Sequence, residues 1–434
     1  MKAKKVMAIL LSMCMVAGLA ACGSKEEATD TKDDAAKTEA EDEAEDEAEE
    51  EAITTTLTVW GPSEDQAAES GEWLQTMCEQ FAAEHPNWDI TFEYGVCAEG
   101  DAKTTVTQDV EGAADVYMFA NDNLTALIAA NGISKLGGET AETIKATNSQ
   151  AIIDSVSVDG DVYGLPFTTN TWYMFYDTSV FSEEDIKNLD TMLEKGKVSF
   201  PITNSWYIAS FYVANGCTLF GEDGTDEAAG IDFSGDKAVA VTNYLVDLVA
   251  NPNFISDADG AGMSGLRDGS VNAIFSGSWD AASAQEALGE NYGVAVLPSI
   301  TIDGEAKQMK AFLGSKAIGV NPNADNMQVA VALAAFLGSE DSQIAHFDTR
   351  GQAPVASSLA TNEKIAADPV ATAMAKVGAE ASICQPVFGM DGYWTAAGSF
   401  GAAFLPGAED QITHDNAAEK TQAFNDQCNG SIVE

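Results

Sequence analysis

Three tryptophans lie in short stretches that otherwise consist mostly of small and polar residues. Trp206 lies in TNSWY, Trp279 in SGSWD and Trp394 in MDGYWT. An indole ring offers a flat π surface to the C–H groups on the face of a pyranose, and nearby amides and carboxylates can bond the sugar hydroxyls. The pattern predicts loop-borne tryptophans that bind a carbohydrate. The alternative for each tryptophan is that its side chain packs on the core and holds its loop in place.

Patterns that would indicate catalysis or a cofactor are weak in this sequence. GAGMSG, at residues 260–265, matches GxGxxG but follows a polar stretch instead of a strand, so it predicts a loop and not a dinucleotide site. His85, His346 and His414 are far apart in sequence, which favours packing or surface roles over a catalytic base. Acidic residues are too numerous for any pair to indicate glycoside hydrolysis. We therefore expect that the protein is not an enzyme and that it binds no cofactor or metal. A surface glycoside hydrolase remains the alternative.

The elements that must position the tryptophans follow an alternating pattern. Residues 54–61, 88–95 and 116–119 have the composition of strands, and apolar residues at helical spacing lie between and after them. Such alternation predicts an α/β fold with a parallel sheet covered by helices. The remaining tryptophans fall within these elements and are predicted core residues: Trp60, Trp73, Trp88 and Trp172.

The middle of the chain departs from this rhythm. Residues 155–167 predict a hairpin around Asp159 and Gly160, and TNTWYMFYD predicts a buried strand. No Pro- or Gly-rich linker separates two halves, although the chain is long enough for two domains. We therefore expect two α/β domains between which the chain crosses more than once.

The first residues have the pattern of an export signal, with Lys2, Lys4 and Lys5 before a short apolar run. This run is shorter than the roughly 20 residues that span a bilayer. Residues 19–22 (LAAC) resemble a bacterial lipoprotein box. The resemblance implies that residues 1–21 are removed and that Cys22 is lipidated, which places the protein on the outer face of the cell membrane, as in Gram-positive bacteria.

An acidic segment follows the cysteine. Residues 25–52 contain 15 acidic residues, three lysines and no aromatic residue. Such a segment cannot bury enough apolar surface to order itself, so residues 22–52 are predicted to form an extended spacer. The whole chain has a formal net charge of −48, which would repel nucleic acid and anionic membranes. We expect neither as a partner, apart from membrane attachment through the lipid.

The cysteines beyond the spacer show no disulfide framework and no zinc-binding pattern. Five are scattered along the chain without a CxxC pair. A disulfide between Cys78 and Cys97 is possible on this evidence but is not required by it.

Four longer segments resemble a known family. They are GIDFSGDKAVAVTNYLVDLV (230–249), GLRDGSVNAIFSGSWDA (265–281), NYGVAVLPSI (291–300) and RGQAPVASSLATNEKIAADP (350–369). In this order, behind a lipoprotein box, they resemble the solute-binding proteins of ATP-driven sugar importers, and within them the maltose/maltodextrin-binding group. The resemblance covers nearly all of residues 53–434.

This resemblance implies a set of sugar-contacting residues. Trp206, Trp279 and Trp394 match stacking residues of the family, and Glu64 and Asp122 match acids that bind sugar hydroxyls. The chain departs from the maltose binder of enteric bacteria at several cleft positions, where a Trp, a Lys, an Arg and two Glu are replaced respectively by Phe119, Asp65, Asn123, Asn170 and Asn204. GAGMSG falls roughly where the family has a cleft tyrosine, which removes one more contact to the sugar.

The family also implies the architecture and the mechanism. It is the two-lobed fold of type II periplasmic binding proteins, with residues 53–168 and 314–362 in one lobe and residues 170–312 and 369–434 in the other. The lobes close around the ligand, and the monomer delivers malto-oligosaccharides to a membrane permease. Other solutes, such as xylo-oligosaccharides or a peptide, remain alternatives.

Overall fold

The computed structural model describes residues 52–430 except 223, 225, 258, 259, 388 and 389. Cys22 and the predicted signal and spacer therefore lie outside the described residues. Within the described part, no helix combines the length and the apolar character that crossing a membrane requires.

The strands form two principal sheets and three small hairpin-like pairs. In chain order they are β1 (Ile53–Gly61), β2 (Trp88–Val96), β3 (Val116–Ala120), β4 (Ser157–Val158), β5 (Asp161–Val162), β6 (Leu165–Asn170), β7 (Tyr173–Asp177), β8 (Val198–Phe200), β9 (Thr218–Leu219), β10 (Ile231–Asp232), β11 (Phe254–Ser256), β12 (Ala273–Ser276), β13 (Tyr292–Ala295), β14 (Ser299–Ile302), β15 (Glu305–Gln308), β16 (Ala311–Val320) and β17 (Ser382–Cys384).

Helices connect and cover the strands. They are α1 (Trp73–Glu84), α2 (Ala102–Gln108), α3 (Leu124–Ala129), α4 (Gly138–Thr147), α5 (Gln150–Asp154), α6 (Leu189–Lys195), α7 (Ser205–Ala214), α8 (Gly235–Ala250), α9 (Ala261–Asp268), α10 (Ala281–Leu288), α11 (Met327–Leu337), α12 (Glu340–Arg350), α13 (Glu363–Ala367), α14 (Pro369–Glu380), α15 (Asp391–Ala402) and α16 (Ala417–Gly430).

The first principal sheet has the strand order β17-β16-β3-β1-β2, with β6 also paired to β16. Strands β2, β1 and β3 are parallel neighbours, as the alternating sequence pattern predicts. Strand β16 runs antiparallel to β3 and β6 and parallel to β17. We call the part of the molecule built on this sheet the first lobe.

The second principal sheet has the order β11-β8-β12-β7-β13 and defines the second lobe. Its strands β11, β8 and β12 are parallel, whereas β7 and β13 are antiparallel to their neighbours. A separate cluster of buried apolar side chains belongs to each sheet. Phe347 and Leu359 pack in the cluster of the second lobe although they precede the predicted boundary at residue 362, so the lobe boundaries remain a prediction.

Several local expectations can be compared with the structure. Strands β4 and β5 form the predicted hairpin, and the positive φ of Asp159 and Gly160 makes its tight turn. The glycine run at 260–265 was predicted as a loop, and this is wrong because residues 261–268 form α9. Added β-carbons would lie 2.2 Å from Asp257 at Gly262 and 2.5 Å from Val271 at Gly265, so the helix approaches its neighbours too closely for larger residues.

Candidate functional site

In the first lobe, predicted site residues lie at one edge of the sheet. Glu64 and Asp65 form a short 3-10 helix after β1, and Asp122 lies in another directly after β3. Because β1 and β3 are parallel neighbours, their carboxyl ends meet at this edge. Glu64 is exposed and Asp122 is half-buried, with its Oδ1 accepting a hydrogen bond from Asn123 Nδ2 at 3.1 Å. Both side chains are therefore at least partly exposed to solvent at this edge.

In the second lobe, two of the three tryptophans come together by the same geometry. Trp206 follows β8 and Trp279 follows β12, and these strands are also parallel neighbours. The ring centroids lie 5.9 Å apart at an interplanar angle of 39°. Trp279 is 50% exposed, which is rare for a large apolar side chain in this protein. The two rings form an aromatic surface, here called the Trp206–Trp279 platform.

Trp206 and Trp394 lie in helices, so the prediction that they are loop-borne is wrong. Trp206 is in the first turn of α7, where the side chain of Asn204 accepts a hydrogen bond from its backbone N at 2.9 Å. Trp394 is in the first turn of α15, and Trp279 is in the short 3-10 helix Ser278–Asp280. Small polar residues are common both at the starts of helices and in loops, so composition alone does not distinguish a helix start from a loop.

Helix α15 packs against the start of α7. The Tyr393 hydroxyl donates to the backbone O of Ser205 at 2.6 Å, one residue before Trp206. The half-buried Trp394 ring stands edge-on to Phe312, with centroids 5.8 Å apart. The fold thus carries Trp394 on the helix that supports Trp206, although Trp394 is not part of the platform itself.

Gly277 sets the position of the Trp279 ring. A β-carbon at Gly277 would lie 2.1 Å from Cζ3 of this ring, although its φ of −109° is open to any residue. We therefore predict that Gly277→Ala displaces the ring without straining the backbone and weakens ligand binding about tenfold. Calorimetric titration measures this effect. Gly137→Ala, where no atom lies within 4 Å of the added carbon, is the matched control. Unchanged affinity in Gly277→Ala would contradict the role of the ring position.

A depression of about 650 Å³ opens beside Trp279. Polar groups on its wall include the half-buried Asp280, whose Oδ2 accepts from Ser276 Oγ at 2.6 Å, and the buried Tyr207. Burial raises the pKa of Tyr207, so its hydroxyl stays protonated at neutral pH. Sequence reasoning missed both residues, although each directly follows one of the singled-out tryptophans. The depression combines an aromatic wall with hydroxyl and carboxylate groups.

A larger cavity lies elsewhere. It has a volume of about 1190 Å³ and lies between the β4–β5 hairpin and a wall that includes Gly224 and residues 226–228. Its wall carries the carboxylates of Asp154, Asp159 and Asp226, and none of the described residues on this wall is aromatic. The smaller depression combines an aromatic surface with convergent polar groups, which is the combination that fits a neutral organic ligand.

Asp65 is buried and paired with two side chains of α12, and its predicted role as a ligand contact stays a prediction. Its side chain is only 3% exposed, and its Oδ1 accepts from His346 Nε2 and Arg350 Nε, each at 3.0 Å. Burial pushes the pKa of Asp65 up, but the hydrogen bonds and charges of His346 and Arg350 outweigh it and hold the pKa below 3.8. Asp65 therefore fixes the end of β1 against α12.

Phe119 lies in the core of the first lobe. Its ring is fully buried, and Gly164 lies so close that an added β-carbon would be 2.7 Å from Phe119 Cζ. Its predicted ligand contact stays a prediction. Asn123 is buried and its Oδ1 accepts from Lys103 N at 2.8 Å, whereas Asn170 is half-buried at the end of β6. Asn204 is exposed beside Trp206.

Two hydrogen bonds connect the surroundings of the platform to residues on other parts of the fold. Ser278 Oγ donates to Gln352 Oε1 at 2.7 Å, and Gln352 follows the end of α12. Trp206 Nε1 donates to Gln385 Oε1 at 2.9 Å, and Gln385 follows β17 of the first sheet.

Among the described residues, no cluster of His, Cys, Asp and Glu has the geometry to hold a metal ion. Cys78 and Cys97 both have free thiols, so the possible disulfide between them is not formed in this structure.

Comparison with known proteins supports a common architecture. A solved structure described as "with acarbose" is 61% identical, covers 87% of this chain and 100% of that chain, and superposes with a TM-score of 0.84. The maltodextrin binding protein MalE1 from L. casei BL23 is 25% identical, covers 86% of this chain and 99% of that chain, and superposes with a TM-score of 0.79. The predicted two-lobed α/β fold is thereby confirmed. The galactooligosaccharide-binding protein of Bacillus subtilis (strain 168) is 25% identical over 439 residues, or 96% of each chain.

Another relative is the maltooligosaccharide ABC transporter solute-binding lipoprotein of Streptococcus pneumoniae (strain ATCC BAA-255 / R6). It is 24% identical over 351 residues, which cover 76% of this chain and 80% of that protein. The family described as bacterial extracellular solute-binding protein matches residues 76–373. The chain therefore belongs to the bacterial extracellular solute-binding proteins, a family of binding proteins and not of enzymes.

Proposed function

We propose that this protein captures α-linked gluco-oligosaccharides outside the cell and delivers them to the permease of an ABC transporter. The observation that carries the proposal is the Trp206–Trp279 platform, with one ring half-exposed beside a depression that has hydroxyl and carboxylate groups on its wall. A pyranose needs this combination, because its faces are apolar and its rim carries hydroxyls.

The relatives support an oligosaccharide ligand and favour the α-gluco series. The structure described as "with acarbose" is 61% identical to this chain, and the pneumococcal relative is described as a maltooligosaccharide ABC transporter solute-binding lipoprotein. The Bacillus relative is described as binding galactooligosaccharide, which makes the galacto series the second candidate. Stacking alone does not distinguish these sugars, because both have an apolar face. The hydroxyl contacts must do so.

The proposed mechanism is closure of the two lobes around the sugar. The first lobe offers Glu64 and Asp122, and the second offers Trp206, Trp279 and Trp394. A ligand that contacts both lobes binds the closed state more tightly and shifts the population toward it. Asn204, which is exposed beside Trp206, is the second lobe's proposed amide contact, and Asn170 lies where β6 ends.

We further propose that Cys22 anchors the protein beside its permease. The lipoprotein-box pattern of residues 19–22 and the description of the pneumococcal relative as a lipoprotein support this proposal. Attachment is stable only with two or more acyl chains on the anchor. The acidic spacer after Cys22 would then let the binding lobes reach the transporter.

Calorimetric titration of the purified protein with maltotriose, a galactotriose, xylotriose and a tripeptide tests the proposal. We expect maltotriose to bind with a dissociation constant of about 1 μM, or about −8 kcal/mol, and the other ligands at least tenfold more weakly. Chromatography after prolonged incubation should show intact maltotriose. Tighter binding of galactotriose would favour the second candidate, and shortened oligosaccharides would indicate a hydrolase.

A further inference from the structure

Gln385 lies where the two lobes meet. It follows β17, and its side chain is 3% exposed. Its backbone N donates to Leu313 O at 2.8 Å, which continues the pairing of β17 with β16. Its backbone O accepts from Asn121 Nδ2 at 3.0 Å. The main chain of Gln385 is thus fixed to the first sheet on both sides.

Asn121 is itself held in place. It follows β3 directly and is fully buried, one residue before Asp122. A β-carbon at Gly314 would lie 2.2 Å from Asn121 Oδ1, so the amide packs tightly against β16. This packing turns Asn121 Nδ2 toward Gln385 and ties Gln385 to the carboxyl edge of the first sheet.

The side chain of Gln385 reaches into the second lobe. Its Oε1 accepts from Trp206 Nε1 at 2.9 Å, and this is the hydrogen bond of the Trp206 indole. An indole has one N–H donor, so the bond fixes which way the ring faces. Because Trp206 lies 5.9 Å from Trp279, a rotation of the Trp206 ring would change the platform as a whole.

We infer that Gln385 is a positioning residue for the sugar site: it sets the orientation of the Trp206 ring and ties that ring to the edge of the first lobe that carries Asp122. The inference rests on the proposed function. It adds a residue that the sequence analysis did not single out, and it connects the platform to the first sheet through the hydrogen bonds of Gln385.

A double-mutant cycle tests this role. Gln385→Met keeps the length of the side chain but removes the acceptor, so the indole N–H loses its partner. We expect maltotriose to bind about tenfold more weakly to this variant. In a Trp206→Phe background the same change should alter affinity less than about twofold, because phenylalanine has no N–H to orient. The Trp206 indole N–H resonance should also shift in Gln385→Met.

Further variants separate positioning from general damage to the fold. Gln385→Asn keeps a buried amide but withdraws its oxygen by about 1.5 Å, and should weaken binding as Gln385→Met does. Gln343→Met is the matched control, since Gln343 is also buried and its Oε1 accepts from the backbone N of Val355 and Ala356. It should leave the Trp206 resonance and the affinity of the folded protein unchanged.

The possible results have different meanings. Equal weakening by Gln385→Met in both backgrounds, or no weakening at all, would overturn the positioning role. An unaltered protein that binds no oligosaccharide would instead overturn the proposed function, whatever the Gln385 variants do. If Gln385→Met weakens maltotriose binding only when Trp206 is present, the result would support both the positioning role and the proposed function.

Discussion

Trp279→Ala is expected to weaken maltotriose binding about 100-fold, which corresponds to about 2.7 kcal/mol. Trp279 is 50% exposed, so about half of its surface is available to a ligand and is not packed in the core. For the same reason the free energy of unfolding should change by less than about 1 kcal/mol. Calorimetric titration gives the first quantity and urea denaturation the second.

Trp88→Ala is the matched control for this prediction. Trp88 is half-buried on β2, an edge strand of the first sheet, and stacks on His85 with ring centroids 4.2 Å apart. Its removal should leave the affinity for maltotriose unchanged. Equal affinities for the unaltered protein and for Trp279→Ala would show that the exposed ring is not part of the ligand site.

Asp65→Ala is expected to lower the free energy of unfolding by about 3 kcal/mol. The substitution leaves the buried His346 and the Arg350 guanidinium without their shared carboxylate, and an unpaired buried charge costs more than an exposed one. Glu64→Ala is the control, because the neighbouring carboxylate is exposed and its loss should change stability by less than about 0.5 kcal/mol. Urea denaturation monitored by fluorescence compares the two variants.

The effect of Asp65 should depend on pH with a defined sign. The pKa of this carboxyl is lower in the folded protein than the ordinary value of 3.8, so its contribution is fully present above pH 3.8. The contribution is lost as the pH falls through the folded-state pKa. The difference in stability between the unaltered protein and Asp65→Ala should therefore shrink below pH 3.8. Equal stability of the two proteins at neutral pH would contradict the buried pairing.

The sequence was sufficient for features that depend on local pattern. The strand-like composition of residues 88–95 predicts β2, and the turn at Asp159 and Gly160 predicts the hairpin of β4 and β5. Polar neighbours also singled out three tryptophans, and the fold brings two of them, Trp206 and Trp279, together. In each case the decisive information lies within a few residues of the feature.

Features that depend on distant partners could not be predicted in this way. Asp65 and His346 are 281 residues apart, and Trp206 and Gln385 are 179 residues apart, so no local pattern reveals either pair. Phe119 matches a cleft tryptophan of the family, but it lies on a strand that is buried on both faces. The glycines of α9 oppose helix formation locally, and only the close approach of Asp257 and Val271 explains them.

A crystal structure of the protein with bound maltotriose would test the central claim most directly. The account predicts one glucose unit stacked on Trp206 or Trp279 with ring atoms about 4 Å apart, and hydroxyls within hydrogen-bond reach of side chains from both lobes. A maltotriose bound away from these rings, for example in the acidic cavity beside the β4–β5 hairpin, would contradict it.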